Sequence, residues 1–458
     1  MPLASRSPLG TASESDSLPR AMSWPKRAPA DWLSVDEARA RVLALVSPLP
    51  SEEVPLLQAL HRALAAPISA AATLPPWDNS AMDGYAVRGV DVAGALPDSP
   101  VEMRVVGEAR AGIKWVGTLG PGDAVRIMTG GPLPDGADSV VRVEDTDGEE
   151  QAGQLWIRSE RDRGRNVRRG GQDMRPGDLL LERGDALGPG GVAAAAAAGL
   201  AFVRVHKRPR IAVLTSGDEL RGPEHFDDVQ AGRGIPDSNG PLLLAAAAEC
   251  GADAIGLGPV RDDVAAVRER IEEACSMEID LLVTVGGASM GGTDLFRDVL
   301  VTMGLALDFW RVRMRPGSPF SAGHLTRETG RVLPVLGLPG NPASAYVTFQ
   351  LFARAALRRM GGHHGIGLPP VTAVAGDRLA GGASLTHFPR VRIEAKDGSL
   401  VAIPAGPQGS GLVKGLAQAD GLAVVPEGVD AISAGSPVTV LLLRLPVLGD
   451  DDLRVEAR

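Results

Sequence analysis

The hydrophobic residues of the central part of the chain, residues 209–360, fall into four apolar, β-branched runs that alternate with amphipathic stretches. Such runs predict strands buried on both faces, and the stretches between them predict helices. The predicted strands are Ile211–Thr215, Ala254–Val260, Leu281–Val285 and Val332–Leu336. The predicted helices are Pro241–Cys250, Val264–Cys275, Leu295–Met303 and Ala343–Arg359. We therefore expect a doubly wound α/β domain, a parallel sheet with helices on both faces.

The patterns on either side of this region are different. Residues 86–157 and 369–445 contain short apolar runs broken by Gly, Pro and Asp, which is typical of small β domains; the first stretch is too turn-dense for a parallel sheet. Near the N-terminus, Ser34 and Glu37 form a capping box before a helical pattern, and further helices are predicted at Leu56–Leu64 and Gly190–Ala198. Residues 1–30 are predicted to be a disordered tail.

Composition narrows the possible classes of protein. The 57 glycines and 36 prolines among 458 residues exclude a coiled coil or a helical solenoid. A net charge of −9 argues against general nucleic-acid binding. No apolar run reaches the roughly 18 residues that a membrane span needs. The two cysteines cannot form a zinc cage or a disulfide framework, and the histidines have no metal-ligand spacing.

Glycines, small hydroxyl residues and carboxylates follow each of the four predicted strands, in the segments 216–219, 261–263, 286–294 and 337–342. In an open α/β sheet, ligands bind at the carboxyl ends of the strands. Glycine allows backbone N–H groups to approach phosphate oxygens closely. The last segment also precedes a helix N-terminus that favours an anion, although a plain tight turn explains that segment equally well. Together the segments predict one site for a polyanion.

The acidic residues of these segments could bind a metal ion. Carboxylates without a nearby histidine suit a hard cation such as Mg²⁺, which commonly bridges carboxylates to a substrate phosphate. Helix capping competes with this interpretation for Asp262 or Asp263, and also for Asp294. We favour metal binding for Asp263 and Asp294. The other acidic residues of the set are Asp218 and Glu219.

Three arginines alternate with apolar residues in the segment 310–317. If the segment is extended, Arg311, Arg313 and Arg315 lie on one face of it. Guanidinium groups on one face suit a polyanionic ligand, and the alternative is an edge strand protected by charge. We interpret the six arginines between residues 161 and 175 as part of a solvated loop.

Seven short motifs resemble, in the same order, those of the molybdopterin molybdenumtransferase (MoeA) family, to which the C-terminal part of gephyrin is similar. The likeness extends over residues 31–446. The motifs are Asp78–Ala86, Thr129-Gly130 with Pro132-Leu133-Pro134, Gly217-Asp218-Glu219-Leu220, Asp237-Ser238-Asn239, Gly286-Gly287 with Ser289 and Gly291, Pro316-Gly317 with Pro319, and Gly337-Leu338-Pro339-Gly340-Asn341-Pro342.

The resemblance implies a multidomain protein. It implies an extended dimerisation domain I at residues 31–85 and 160–207, with a β domain II inserted at 86–159. It further implies an α/β, molybdopterin-binding-like domain III at 208–362 and a small β-barrel domain IV at 368–446.

The resemblance also implies a reaction and its site. Molybdenum from molybdate would be inserted into adenylylated molybdopterin with release of AMP, with Mg²⁺ or another divalent cation as cofactor. The cleft would lie between domain III of one subunit and domain II of its partner in a homodimer. Glu219, Asp263 and Asp294 would be the catalytic, metal-binding carboxylates. The implied substrate-binding residues are Asp83, Thr129, Asp173, Ser216, Gly217, Gly286, Gly287, Ser289, Gly291, Arg311, Arg315, Pro316, Gly317, Ser318, Pro339, Gly340, Asn341, Pro342, Ser344, Arg390 and Ser410.

The chain departs from the family pattern at four of its positions. Lysines are usual in the family at the positions of Arg311, Arg315 and Ser318, and an acidic residue is common at Gly292. Arginine keeps the positive charge, whereas Ser318 removes it.

Two other functions compete with this interpretation: a molybdopterin adenylyltransferase, and a non-catalytic scaffold or paralogue of the same fold. The resemblance further predicts a cytoplasmic protein that works with a molybdopterin adenylyltransferase and with molybdoenzymes or their chaperones. Neither nucleic acid nor membrane is an expected partner.

Overall fold

The computed structural model of the chain describes residues 32–286, 295–327, 330–382 and 384–446. The predicted tail at residues 1–30 lies outside these ranges. Two compact units are formed: one is Glu53–Val205, and the other comprises the described residues on either side of it. In the described ranges no helix is both long and apolar enough to cross a membrane.

A six-stranded sheet is the centre of the unit that includes residues 206–446. Its strands, in spatial order, are Asp253–Val260, Arg210–Ser216, Leu281–Val285, Val332–Leu338, Ser321–Thr326 and Ala306–Trp310. The first four are parallel, as predicted. Ser321–Thr326 runs antiparallel to both of its neighbours, so Ala306–Trp310 again runs in the direction of the first four strands. Neither of these two strands was predicted.

Alternate residues of the central strands pack on opposite faces of this sheet. Ile211 and Val213 belong to one apolar core, whereas Ala212 and Leu214 belong to the other. The helices are Asn239–Glu249, Val264–Ser276, Leu295–Thr302 and the helical run formed by Pro342–Thr348, a π-helical turn Phe349–Ala353 and Arg354–Met360. Burial on both faces explains why the central strands Arg210–Ser216 and Leu281–Val285 are almost continuously apolar. The prediction of such burial is wrong for Asp253–Val260, because this strand lies at the edge of the sheet and only its Val260 is buried.

The helix Val35–Ala44 begins at the predicted capping box. The backbone N–H of Glu37 donates to the Ser34 hydroxyl at 3.2 Å, and the backbone N–H of Ser34 donates to the Glu37 carboxylate at 2.7 Å. Ala38 and Val42 are buried in the same core as Phe352 and Leu357. The helix therefore packs on the α/β domain.

The C-terminal strands close into a five-stranded barrel. Their spatial order is Pro370–Ala375, Ser399–Pro404, Arg390–Lys396, Gly421–Val424 and Pro437–Leu442, and the last strand pairs with the first. The remaining short elements of this unit are the helices Phe226–Gln230 and Lys414–Gln418, and the strand pairs Leu220–Arg221 with Ile235–Pro236, Met314–Arg315 with Thr386–His387, and Leu379–Ala380 with Ala431–Ile432.

The unit Glu53–Val205 contains a five-stranded β-sheet. In spatial order its strands are Ser139–Arg142, Gly84–Val87, Asp123–Ile127, Val101–Ala109 and Gln154–Ile157. The β-rich prediction for residues 86–157 is confirmed. As expected for a turn-dense segment, the sheet is not a parallel one: three of its four strand pairs are antiparallel, and Val101–Ala109 runs parallel to Asp123–Ile127. That one parallel pair is connected by 13 residues of loop.

The rest of this unit is built from short elements. They are the strand pairs Ile68–Ser69 with Leu179–Leu181 and Asn79–Ser80 with Val167–Arg168, and the helix Pro189–Ala197. The strands Ser51–Pro55 and Phe202–His206 lie where the chain passes from one unit to the other. The helix predicted at Leu56–Leu64 is wrong: only a 3-10 turn forms at Leu56–Ala59, because His61 adopts a left-handed φ of 64° and Leu64 bridges to Val205.

The predicted fold class is confirmed. A doubly wound α/β domain stands at the centre of the sequence, a β-rich segment precedes it, and a closed β-barrel follows it.

Candidate functional site

The carboxyl ends of three neighbouring parallel strands meet at Ser216, Gly286 and Gly340. Gly286 has a φ of 115°, and a β-carbon on it would lie 3.0 Å from the carbonyl oxygen of Ser216 and 3.1 Å from its hydroxyl oxygen. A β-carbon on Gly340 would lie 3.4 Å from the Cα of Gly286. The backbones therefore approach each other at distances that favour glycine.

A polar network connects these strand ends to the helix Asn239–Glu249. The Thr215 hydroxyl donates to the Asp237 carboxylate at 3.1 Å, and that carboxylate also accepts from the backbone N–H of Gly240 at 3.0 Å. The Asn239 amide donates to the carbonyl oxygen of Gly340 at 2.7 Å. Sequence reasoning gave Asp237 and Asn239 no role in the site. The available signal was their motif, a polar run at the start of a helix whose other inward residues are apolar.

The acidic residues follow the edge strand Asp253–Val260 and its neighbour Arg210–Ser216. The Glu219 carboxylate folds back over Gly217, within 2.8 Å of the place that a β-carbon on that glycine would occupy. The backbone N–H of Asp262 donates to the Asp218 carboxylate at 3.2 Å, which links the two loops. Asp218, Glu219, Asp262 and Asp263 are all exposed.

Asp263 has the capping role that sequence reasoning left open. Its Oδ1 accepts from the backbone N–H of Ala266 at 2.9 Å at the start of the helix Val264–Ser276. Within the described ranges, no three His, Cys, Asp or Glu side chains are placed to hold a metal ion. Asp294, the third predicted ligand, lies outside those ranges, as do Gly287, Ser289 and Gly291.

The arginine segment does not form one extended strand. The apolar residues Val312 and Met314 that alternate with the arginines are buried, as the pattern predicts. However, the strand Ala306–Trp310 ends before Arg311, which adopts a left-handed φ of 85°. Arg313 forms an ion pair with the Glu427 carboxylate at 3.1 Å, so its charge is already balanced within the chain.

Arg311 and Arg315 have different surroundings. The Arg311 guanidinium lies 4.0 Å from the centre of the Trp310 ring and 5.0 Å from that of Trp32. Burial lowers the pKa of Arg311, and the nearby charge of Arg297 lowers it further. Arg315 is exposed and pairs in register with His387, whose pKa is lowered by burial and then by the Arg315 charge.

The turn after Arg315 packs against the helix Pro342–Thr348. A β-carbon on Gly317, where φ is 104°, would lie 2.5 Å from the Thr348 methyl carbon and 3.5 Å from the Ser344 carbonyl oxygen. Pro316 precedes this glycine, and the Ser318 hydroxyl that follows donates to the Met314 carbonyl oxygen. The turn therefore packs along the helix that begins at Pro342.

The barrel contributes a loop at the same helix. The backbone N–H of Ala343 donates to the Ser410 carbonyl oxygen at 2.9 Å. Arg390 is only 1% exposed, and its guanidinium donates to the carbonyl oxygens of Pro407 at 2.9 Å and Gly409 at 3.2 Å. Burial lowers the pKa of Arg390. The structure thus places Ser410 beside the helix start and Arg390 beneath the loop that carries it.

Asp83 and Thr129 come together in the unit Glu53–Val205. The Asp83 carboxylate accepts from the backbone N–H of Thr129 at 2.7 Å and from its hydroxyl at 2.8 Å, and these bonds lower the pKa of Asp83. Asp173 is exposed, and its backbone N–H donates to the Leu74 carbonyl oxygen at 3.0 Å.

Comparison with known proteins identifies the family. Three family models match consecutive parts of the chain: "MoeA N-terminal region (domain I and II)" at residues 33–199, "Probable molybdopterin binding domain" at 212–359, and "MoeA C-terminal region (domain IV)" at 372–443. A protein of Mycobacterium tuberculosis named molybdopterin molybdenumtransferase 2 is 35% identical over 89% of this chain and 98% of its own length. The chain belongs to the MoeA family.

Other MoeA relatives agree with this result. The Bacillus subtilis protein named molybdopterin molybdenumtransferase is 34% identical over 92% of this chain and 95% of its own length. Two crystal structures of MoeA proteins from Pyrococcus horikoshii superpose with TM-scores of 0.76 and 0.71, at 25% and 31% identity, over 90% and 91% of this chain and the whole of theirs. The resemblance seen in the sequence is confirmed, and the MoeA match continues on both sides of the α/β domain.

Proposed function

We propose that the protein is a molybdopterin molybdenumtransferase, which inserts molybdenum from molybdate into adenylylated molybdopterin and releases AMP. The observation that carries this proposal is the meeting of Ser216, Gly286 and Gly340 at the strand ends of a MoeA-family chain. Backbone N–H groups and a hydroxyl at such an edge suit the phosphate groups of the adenylylated substrate.

The arginines would hold the oxyanions. Molybdate and the pyrophosphate of the substrate repel each other, so cations must lie close to both. Arg315 is exposed, and Arg311 is held in a defined position by two indole rings. Guanidinium groups bind oxyanions through two parallel hydrogen bonds, which supports these roles.

Glu219, Asp263 and Asp294 would hold a Mg²⁺ ion, whose chemistry is to offset the phosphate charge and polarise the phosphoryl oxygen. The donor set fits a hard cation because it contains only carboxylates. Asp263 uses Oδ1 for the helix cap, which leaves Oδ2 available. Glu219 makes no ion pair with the described residues, so its carboxylate is also available.

We further propose that the active form is a homodimer in which the partner supplies Asp83, Thr129 and Asp173. Large apolar side chains are exposed around the helix Pro189–Ala197, in which only Ala195 is buried. They are Leu57, Leu60, Leu179, Leu200 and Phe202. An exposed apolar surface of this kind is typical of a protein interface. The family resemblance also predicts that the protein is cytoplasmic and that it acts together with a molybdopterin adenylyltransferase and with molybdoenzymes. Both stay predictions.

The decisive experiment supplies the purified protein with adenylylated molybdopterin, molybdate and Mg²⁺. It measures the release of AMP and the formation of molybdenum cofactor. We expect AMP release that depends on molybdate. A parallel reaction with ATP and molybdopterin tests the adenylyltransferase alternative, which predicts adenylylation without molybdate. If neither reaction proceeds with the folded protein, the non-catalytic alternative replaces the proposal.

A further inference from the structure

A cavity of about 580 Å³ in the unit Glu53–Val205 plays no part in the contacts described above. Cavities that bind small molecules measure roughly 300–1,000 Å³. Among the residues that line this one are Trp77, the apolar segment Pro132-Leu133-Pro134, and the charged residues Lys114 and Asp135. The cavity is therefore large enough for a fused-ring compound and offers it both apolar and charged groups.

The two segments that form much of this cavity also carry Asp83 and Thr129. Trp77 lies shortly before Asp83 in the sequence, and the proline-containing segment follows Thr129. The backbone N–H of Leu133 donates to the carbonyl oxygen of Asp78 at 2.8 Å, which holds the two segments together. The cavity is therefore part of the same local structure as the pair of residues that the proposed function assigns to the substrate.

An exposed indole and an apolar wall suit a flat ring. Trp77 is 45% exposed although it lines the cavity, and aromatic rings stack on such a surface. Pro132 and Pro134 have no backbone N–H, and the N–H of Leu133 is already bonded within the chain. This wall offers no backbone donor, so side chains must recognise the polar groups of a ligand.

Lys114 and Asp135 are the side chains that can do so. The Lys114 ammonium donates to Oδ1 of Asp135 at 2.9 Å, and the two side chains are 52% and 64% exposed. An exposed ion pair contributes little to stability, so both groups can turn to a ligand. Asp78 differs, because its two oxygens accept from Gly170 at 2.8 Å and from Arg169 at 2.6 Å. A carboxylate beside an ammonium presents two acceptors next to a donor.

The complementary ligand edge has two adjacent N–H donors next to a carbonyl acceptor. The 2-amino-4-oxopyrimidine ring of a pterin has this edge, and so does guanine, and a carboxylate can accept from both donors at once. Adenine has a single amino donor beside a ring acceptor, so it does not match. Within adenylylated molybdopterin, the pterin carries the complementary edge and the adenylate does not.

We propose that this cavity binds the pterin ring of the substrate. Trp77 stacks on the ring, Asp135 accepts from its 2-amino and N3–H groups, and Lys114 donates to its 4-oxo group. The inference rests on the proposed function, which supplies a substrate with a pterin. It goes beyond that function by assigning the recognition of the ring to the unit Glu53–Val205 and by naming the residues that distinguish it from adenine.

The experiment measures the binding of four compounds to the full-length protein. They are neopterin, the corresponding lumazine in which an oxygen replaces the 2-amino group, GMP and AMP. The two pteridines are followed by their fluorescence and the nucleotides by calorimetry. We expect neopterin to bind at least about tenfold more tightly than the lumazine, the usual effect of a hydrogen bond to a charged group.

Two substitutions separate stacking from edge recognition. Trp77→Ala should weaken both pteridines by a similar factor of about 5 or more. Asp135→Asn should weaken neopterin about tenfold and leave the lumazine nearly unchanged. Because Asp135 is largely exposed, this second variant should fold even if Trp77→Ala does not.

Each substitution has a matched control. Trp156→Ala removes another exposed indole of the same unit, 37% exposed, that does not line the cavity. Glu394→Gln removes a carboxylate from another exposed ion pair, with Arg392 in the barrel. Both controls should keep the affinity for neopterin and the preference over the lumazine. None of the four variants should change the binding of AMP.

The outcomes separate this inference from the proposed function. Equal affinity for neopterin and the lumazine, or neopterin binding that neither Trp77→Ala nor Asp135→Asn weakens, overturns the inference. Tighter binding of GMP than of neopterin that depends on Trp77 also overturns it, because the cavity is then a guanine site. In these cases AMP release from adenylylated molybdopterin can still confirm the proposed function. If neopterin binds as expected but no AMP is released, the proposed function fails and the pterin site is kept.

Discussion

Individual residues at the strand ends show how closely the site is built. Two features require glycine at position 286. Its φ of 115° is one that other residues rarely adopt, and a β-carbon would lie 3.0 Å from the Ser216 carbonyl oxygen. That carbonyl belongs to the backbone of a central strand and cannot move aside easily. The packing of the core and the shape of the site therefore depend on the same glycine.

Gly286→Ala should lower the free energy of unfolding by about 2–4 kcal/mol, because backbone strain and a backbone contact add. Gly258→Ala is the matched control: this glycine also has a positive φ, 70°, but nothing lies within 4 Å of its β-carbon position. The control should lose only about 1 kcal/mol, the cost of the left-handed backbone. Denaturant unfolding measures both, and equal losses would contradict the role assigned to the contact.

At the scale of elements, one residue can serve both a helix and the chemistry. Asp263 caps the helix Val264–Ser276 through Oδ1, and the cap explains its position without any metal. Capping and metal binding are compatible because a carboxylate has two oxygens. The two roles can be separated because asparagine retains the capping oxygen but lacks the negative charge.

Asp263→Asn should keep the free energy of unfolding within about 0.5 kcal/mol of wild type, whereas Asp263→Ala should lose about 1 kcal/mol. If Asp263 binds metal, Asp263→Asn should nevertheless reduce Mg²⁺-dependent AMP release roughly 100-fold, since a metal contributes several kcal/mol to such a reaction. Thermal unfolding and a Mg²⁺ titration of activity measure the two effects. Full activity in Asp263→Asn would leave capping as its only role.

Elements with a strong pattern could be predicted from the sequence, and the others could not. The strand Leu281–Val285 has the predicted bounds, and the predicted helix at Val264 differs by one residue at its end. The strands Ala306–Trp310 and Ser321–Thr326 carry polar residues and glycine because they form one side of the sheet as antiparallel strands. Their pattern is therefore weak, and pairing with distant strands determines them.

At the scale of the whole molecule, the exposed apolar surface around the helix Pro189–Ala197 predicts association. Leu57 is 80% exposed. Leu57→Asp should raise the dimer dissociation constant at least about tenfold, because a charge would be buried in an apolar interface. Val116→Asp is the matched control, since Val116 is 93% exposed and lies outside this surface. Sedimentation at micromolar concentration distinguishes them. A monomeric wild type, or equal effects of both substitutions, would contradict the predicted interface.

The stability of the whole molecule should also depend on His363. Burial lowers the pKa of His363 to about 4, and the charges of Arg358, Arg354 and His206 act in the same direction. The folded state therefore binds fewer protons than the unfolded state between pH 6.5 and about 4. The stability that the folded protein gains from a neutral His363 is fully present above pH 6.5. It is lost as the pH falls from 6.5 to about 4.

His363→Gln should consequently lose less stability between pH 7 and 4.5 than wild type, by about 1 kcal/mol after allowance for solvent screening. His225→Gln is the control because His225 lies on the surface beside Glu224. It should keep the wild-type slope. Urea unfolding at several pH values measures the difference, and identical slopes for His363→Gln and wild type would disprove the contribution.

The candidate site was open to sequence reasoning only in part. The segments after the strands could be predicted because parallel strands place their carboxyl ends at one edge, and Ser216, Gly286 and Gly340 do meet there. The placement of Arg313 could not be predicted, because its partner Glu427 is more than 100 residues away. The same holds for Arg390, whose burial depends on how the barrel closes around it.

The sequence by itself determined the local structure of this protein: the buried strands, the helices between them, the capping box and the glycine segments. Periodicity and side-chain chemistry act within a few residues, so they can be seen in one dimension. Only the tertiary structure decided which polar atoms meet, such as the Asn239 amide nitrogen and the Gly340 carbonyl oxygen. Contacts of this kind join segments about 100 residues apart, and their geometry is set by the packing of the whole domain.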